Sequence, residues 1–495
     1  MKYLVVMEVS QKQNFIFKTN RLAEQIGASI AIREVTEKLP NQFASPAEYV
    51  FAGGGKSVYE FDSEERAKSF IKNVSTAVLR DYPGIELFMA MNGYDENTDS
   101  VIEAINTLYG KLEEKKSSRK PAFRFYGSGL TEQCRGTQLP AVEYDEKEGY
   151  LSAESFLKLK KARNSQYEAF RELLPGDEYR FAREFSELGG TAGVKDYIAV
   201  VVLDGNKMGK KIDKFRANFA AENGTVNHDF NLKYKKELRA LSEEIDQCYK
   251  TAVKDMIADL AKNYDSLVKK GTVSKVERGD KKKVLPIRPL ILAGDDICFV
   301  TDVRIGIALT EKLMQYVEKT AIMGLPMRVC AGIAMVKTSY PFFRAHELAE
   351  ELCHNAKGIL PVDDSNDESV LDFHLVQGEI EGSITEIRRE KYKDNKLTSK
   401  PFYLRENGRK NSMPWFKARL AQYESGKFTP GAKKVEAGKG VLKEYRDALS
   451  AGKDAAKQYR IYKRLENVLG DGYENDRCLD FDVIEMLGIC KWMEV

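Results

Sequence analysis

Two stretches decide the fold: Tyr197-Ile-Ala-Val-Val-Val-Leu-Asp204 and Leu290-Ile-Leu-Ala-Gly-Asp-Asp-Ile-Cys-Phe-Val300. The first is an unbroken apolar run, the pattern of a strand buried on both faces, and it ends on a carboxylate. The second is two short apolar runs divided by Gly294, Asp295 and Asp296, which reads as a tight hairpin. Between them, over 240–264, Leu241, Ile245, Tyr249, Val253, Ile257 and Leu260 recur three and four residues apart and predict an amphipathic helix. Beyond the hairpin the pattern predicts a helix to about Thr320, a closing strand over 328–336 and another helix over 343–357. The unit is β-α-β-β-α-β with one helix appended.

The same order is written into the first hundred residues. It runs as a strand over 3–9, a helix over 13–39 with a break expected at Gly27, and a strand over 49–52. The turn Gly53, Gly54, Gly55, Lys56 follows, then a strand over 57–61, a helix capped by Asp62 or Ser63 and a strand over 85–90. The expected class is therefore α+β: two ferredoxin-like units, 1–112 and 196–378, joined by a helical linker, 113–195. Gly189, Gly190 and Gly193 mark entry to the second unit, and a charged helical C-terminal region, 379–495, breaks near Gly431 and Gly452.

Composition narrows the function. With 78 basic against 75 acidic residues no global field announces nucleic-acid binding. No run reaches the roughly 18 apolar residues of a membrane span. Seven scattered cysteines without a C-x-x-C pair predict neither disulfides nor structural zinc, and suit a reducing cytoplasm. Chemistry concentrates in Asp204, Asp295 and Asp296, which this strand order brings toward one sheet edge. Clustered carboxylates facing phosphate are a site for two Mg²⁺ or Mn²⁺ ions. Lys357, closing the last helix of the unit, has the reach for a triphosphate or else simply complements a helix C-terminus. The basic run over 269–283 reads first as a solvated loop. His228-Asp229 lacks the further histidines of a metal phosphohydrolase, since the chain has only four.

In combination these motifs resemble the large subunit of type III CRISPR effector complexes, the palm-domain polymerase-cyclase family (Cas-ten). The first unit is similar over Gln13-Asn-Phe-Ile-Phe-Lys-Thr-Asn-Arg-Leu22, Gly27-Ala-Ser29 and the Gly53–56 hairpin. The second is similar over Asp204-Gly-Asn-Lys-Met-Gly209, Ala293-Gly-Asp-Asp296, Ala331-Gly-Ile-Ala-Met-Val336, Tyr340-Pro341 and Leu348-Ala-Glu-Glu-Leu352 through Lys357. The resemblance implies two palm domains and synthesis of cyclic oligonucleotides, usually oligoadenylates from ATP, for antiviral signalling to separate effector proteins. It implies Asp204, Asp295 and Asp296 as catalytic metal ligands. It implies nucleotide contacts from Gly205, Asn206, Gly294 and Lys357, with Gly53, Gly54, Gly55 and Lys56 as a non-catalytic counterpart. It further implies guide RNA and other CRISPR subunits as partners, or a homo-oligomer. Members of the family often begin with an HD nuclease domain, whereas this sequence opens directly on the first palm pattern, so a compact member without that domain is expected. Palm folds also serve template-directed polymerases, and a non-catalytic scaffold subunit is the third reading.

Overall fold

In the computed structural model the opening apolar run becomes β1 (Lys2–Ser10), which pairs on one side with β3 (Lys56–Phe61) and on the other with β4 (Glu86–Tyr94). With β2 (Tyr49–Gly53) this makes an antiparallel sheet of order β2-β3-β1-β4. The structure describes all residues except 54, 120–128, 189–195, 277–281, 362–366, 379–381, 426–438, 467–468, 470–471, 475 and 493–495. The linker glycines, Gly431 and part of the basic run therefore lie outside the described residues.

The second sheet opens with the same order. Its central strand β5 (Tyr197–Gly205) lies between β7 (Asp296–Asp302) and β8 (Val329–Lys337), and β6 (Ile287–Ala293) flanks β7. Two strands extend this sheet: β9 (Val370–Leu375), parallel to β8, and β10 (Phe402–Tyr403), contributed by the C-terminal region. That region adds five helices among the described residues: Ile384–Glu390, Met413–Ser425, Lys439–Ala451, Lys453–Tyr462 and Phe481–Glu485. Gly452 separates the third from the fourth, as its sequence position suggests.

Three helices position the site. The first is α1 (Lys12–Phe17), entered through a left-handed Gln11. The second, between Asn227 as side-chain cap and Lys270, is a 42-residue helix, His228–Lys269, much longer than the expected 240–264. Its N-terminal half looks polar in sequence. It nevertheless buries Phe230, Tyr234 and Leu238, and crosses to the first sheet, where Arg239 Nε donates to Val50 O at 2.8 Å. Ser242 Oγ likewise donates to Ala52 O, so side chains rather than another strand satisfy the β2 edge. The third is Phe342–Gly358, which lies on β8 at Gly332. A Cβ on Gly332 would stand 2.0 Å from Ala349 O, so only glycine permits this approach.

Gly27 is not a helix break. It lies inside the helix Leu22–Arg33, and the chain bends instead across Lys18 to Arg21. A Cβ on Gly27 would stand 1.7 Å from Lys158 O, so the residue answers to contact with the helix Ala153–Asn164. The linker, expected to be helical, also carries short strands, among them Glu143–Asp145, Gly149–Leu151 and Tyr179–Phe181.

Candidate active site

Asp204 is the penultimate residue of β5, and Asp296 opens β7 beside it, each one step beyond the Leu203–Ile297 pair. Ala293 pairs with Asp296, leaving Gly294 (φ +63°) and Asp295 as a two-residue hairpin loop. The three aspartates line one cavity of about 420 Å³ with Lys12, Gln13, Gly55, Glu350, His354 and Lys357. The first sheet has the matching hairpin: Gly53 pairs with Lys56, so Gly55 and Lys56 hold the positions that Asp295 and Asp296 hold in the second.

The Phe342–Gly358 helix brings Lys357 over β5, where Nζ donates to Asp204 Oδ2 and, at 3.4 Å, to Gly205 O. Burial works against this ammonium, yet its hydrogen bond to Asp204 leaves its pKa above the ordinary lysine value. Among the described residues the other two acids have no such bond to a cation. Burial, then the charge of Asp204, raises Asp295; the same causes with Asp295 added push Asp296 up to about 7. Lys12 of the first unit is the cation that opposes the rise at Asp296.

Carboxylate donors crowded together, with Asp295 and Asp296 raised in proton affinity, suit hard divalent ions, which would relieve the repulsion between them. The acids line the cavity wall rather than forming a closed cage: among the described residues no group of three or more His, Cys, Asp or Glu side chains is gathered around one point. His228 of the HD dipeptide lies 3.4 Å from Glu96 at the start of the long helix, away from this cavity.

The remaining expected contacts divide. Gly53, Gly55, Lys56, Gly294, Asp295 and Asp296 all line a second, adjoining cavity of about 600 Å³ between the two hairpins, walled by Ile16, Phe51, Leu241 and Ile245. Gly54 lies outside the described residues. Asn206 turns into the protein: it is 2% exposed, its Nδ2 donates to Glu368 O at 2.8 Å, and it lines neither cavity. Lys56 is engaged by Glu113 at 3.5 Å and Glu8 at 3.7 Å and sits over the Tyr109 ring. Sequence reasoning missed Lys12 and Glu350 as lining residues, and Tyr249, which lines neither cavity but whose fully buried hydroxyl has no partner among the described residues; burial first, then Asp295, raises its pKa. Each comes from a different helix, so no local pattern groups them.

Fold and site together define an α+β protein whose two sheets of like strand order face each other across an acidic cavity. No family model matches the sequence, and no curated protein matches it. Solved structures do: the chain is similar in fold to Csm1 of type III CRISPR effector complexes, the family that the sequence motifs suggested. Csm1 of T. onnurineus aligns with TM-score 0.53 at 13% identity, covering 98% of this chain and 68% of that one. A Csm1–Csm4 cassette in complex with cA4 aligns with TM-score 0.51 at 14% identity, over 98% and 68%. The cassette in complex with AMPPNP aligns at 0.51 and 13%, over 98% and 69%. Among the described residues no helix is long and apolar enough to cross a membrane.

Proposed function

We propose that this chain is a nucleotidyltransferase that joins nucleoside triphosphates, ATP foremost, into cyclic oligonucleotides within CRISPR-type antiviral signalling. The observation that carries the reading is the convergence of Asp204, Asp295 and Asp296 on one cavity opposite a glycine hairpin of the other sheet. Likeness in fold to proteins crystallised with cA4 and AMPPNP supports the substrate class. In this reading the units over 1–112 and 196–378 are two palm domains. Asp204, Asp295 and Asp296 hold two Mg²⁺ or Mn²⁺ ions. When bound, such ions make a 3′-hydroxyl a better nucleophile and neutralise charge on the departing pyrophosphate. Lys357 exchanges part of its bond to Asp204 for triphosphate oxygens. The apolar wall around Ile16, Phe51, Leu241 and Ile245 receives a base, and the narrow Gly53–56 hairpin lets the acceptor nucleotide approach the backbone. As in the cassettes, a Csm4-like subunit is the expected partner.

The test is to incubate purified protein with each nucleoside triphosphate and Mg²⁺ or Mn²⁺ and identify products by mass. Short cyclic products from ATP alone, abolished by Asp295→Ala, are expected. Products that appear only with primer and template would identify a polymerase instead, and no product under any condition would leave a scaffold.

A further inference from the structure

Among the described residues the two cavities share five: Lys12, Gly55, Ala293, Asp295 and Asp296. Four belong to the facing hairpins. The fifth, Lys12, is the sole cation of the set, and it comes from the first unit. Strand β1 ends at Ser10, and left-handed Gln11 (φ 50°, ψ 38°) turns the chain so that Lys12 opens α1 beside the hairpin. Its Nζ donates to Gly55 O at 3.3 Å, a long bond for an ammonium with three donors. A Cβ on Gly55 would stand 2.3 Å from Nζ, which places the ammonium directly against the turn, and φ +76° favours glycine there.

The charges around Lys12 are unequal to its burial. Asp296 of the second unit is its strongest anionic neighbour and Glu8 of its own strand the next, and neither forms an ion pair with it within 4 Å. Lys56, the obvious hairpin cation, is by contrast held by Glu8 and Glu113. With one long bond to Gly55 O and no ion pair among the described residues, this ammonium, at the junction of a base-sized cavity and an acidic one, keeps donors for a group that bridges them. The group that bridges a base-binding cavity and an acid pair is a phosphate.

We propose that Lys12 is a catalytic residue of the first unit, donating to the α-phosphate that is attacked at the acids of the second as pyrophosphate departs, so that the site is completed across the two units. This rests on the nucleotidyltransferase reading above. No covalent role is involved: the ammonium hydrogen-bonds a non-bridging phosphate oxygen and neutralises charge as it develops. A purely structural Lys12, tying α1 to the Gly55 hairpin, would contribute only to stability.

Lys12→Met and Lys12→Arg separate these roles. AMPPNP binding is followed by calorimetry in Mn²⁺, and Mn²⁺ binding alone by electron paramagnetic resonance. Loss of a charge-assisted hydrogen bond corresponds to an affinity loss of about ten- to a hundredfold. Lys12→Met is expected to show that loss for AMPPNP, while its affinity for Mn²⁺ without nucleotide is unchanged or tighter because a cation has left the neighbourhood of Asp296. Lys12→Arg should recover part of the nucleotide affinity, and circular dichroism should show both variants folded. Equal AMPPNP affinity in wild type and Lys12→Met would overturn the assignment of Lys12 while leaving the nucleotidyltransferase reading intact. So would parallel losses of AMPPNP and Mn²⁺ affinity. A wild-type protein that binds no nucleoside triphosphate would overturn both.

Discussion

Asp296→Asn should make the protein more stable and inactive at once. Asp296 is half-buried beside Asp204 and Asp295, and its pKa stands at about 7 against an ordinary 3.8. A raised folded-state pKa means that the native protein binds the proton more tightly than the unfolded chain. Stability from this group is complete below about pH 3.8 and is lost as pH rises through about 7. Three pH units at about 1.4 kcal/mol each amount to roughly 4 kcal/mol lost by pH 8. Asn keeps the shape without the charge, so the variant escapes that loss. The assay is guanidinium unfolding in a chelator from pH 4 to 8, comparing both proteins at each pH. The variant's advantage should grow by roughly 1.4 kcal/mol per unit to pH 7 and then level off. Mn²⁺ should narrow the gap by stabilising wild type preferentially, and product formation by the variant should fall about three or more decades. A variant less stable than wild type at pH 8, with a gap independent of pH, would refute the reasoning and make Asp296 an ordinary turn residue.

His346 stacks on Phe17 at 4.0 Å where the Phe342–Gly358 helix meets α1, and burial lowers its pKa to about 3. The unfolded chain takes up that proton near pH 6.5, so stability should fall by about 1.4 kcal/mol per unit as pH drops from 6.5 toward 3. His346→Phe should flatten the fall in denaturant titrations. Gly332→Ala must push the Phe342–Gly358 helix from β8, costing about 3 kcal/mol. Because that helix carries Lys357, AMPPNP affinity measured well below the melting temperature should fall as well.

Much of this was legible in the chain. The buried run ending at Asp204, the hairpin at Asp295 and Asp296, and the repetition of the order at Gly53–56 follow from periodicity and turn chemistry, which act over a few residues. The strand order and hairpin pairings of the two sheets bear out that pattern. Two readings failed where distant contact overrode local preference. Gly27 resembles a break until Lys158 is seen against it, and the first half of the long helix is polar except where Phe230, Tyr234 and Leu238 meet other elements.

The strand order was thus determined by sequence, because alternation, turn residues and helical spacing are local properties. Which charged groups share a cavity was decided only by tertiary structure. Lys12 and Asp296 are far apart in the chain, one opening a helix of the first unit and the other a strand of the second sheet; the long helix and the approach at Gly332 bring their elements together. Proximity across a fold depends on how helices of particular length and crossing point stack the sheets. No pattern within either segment encodes that distance, or the dehydration that raises Asp296 and sets Lys12 beside it.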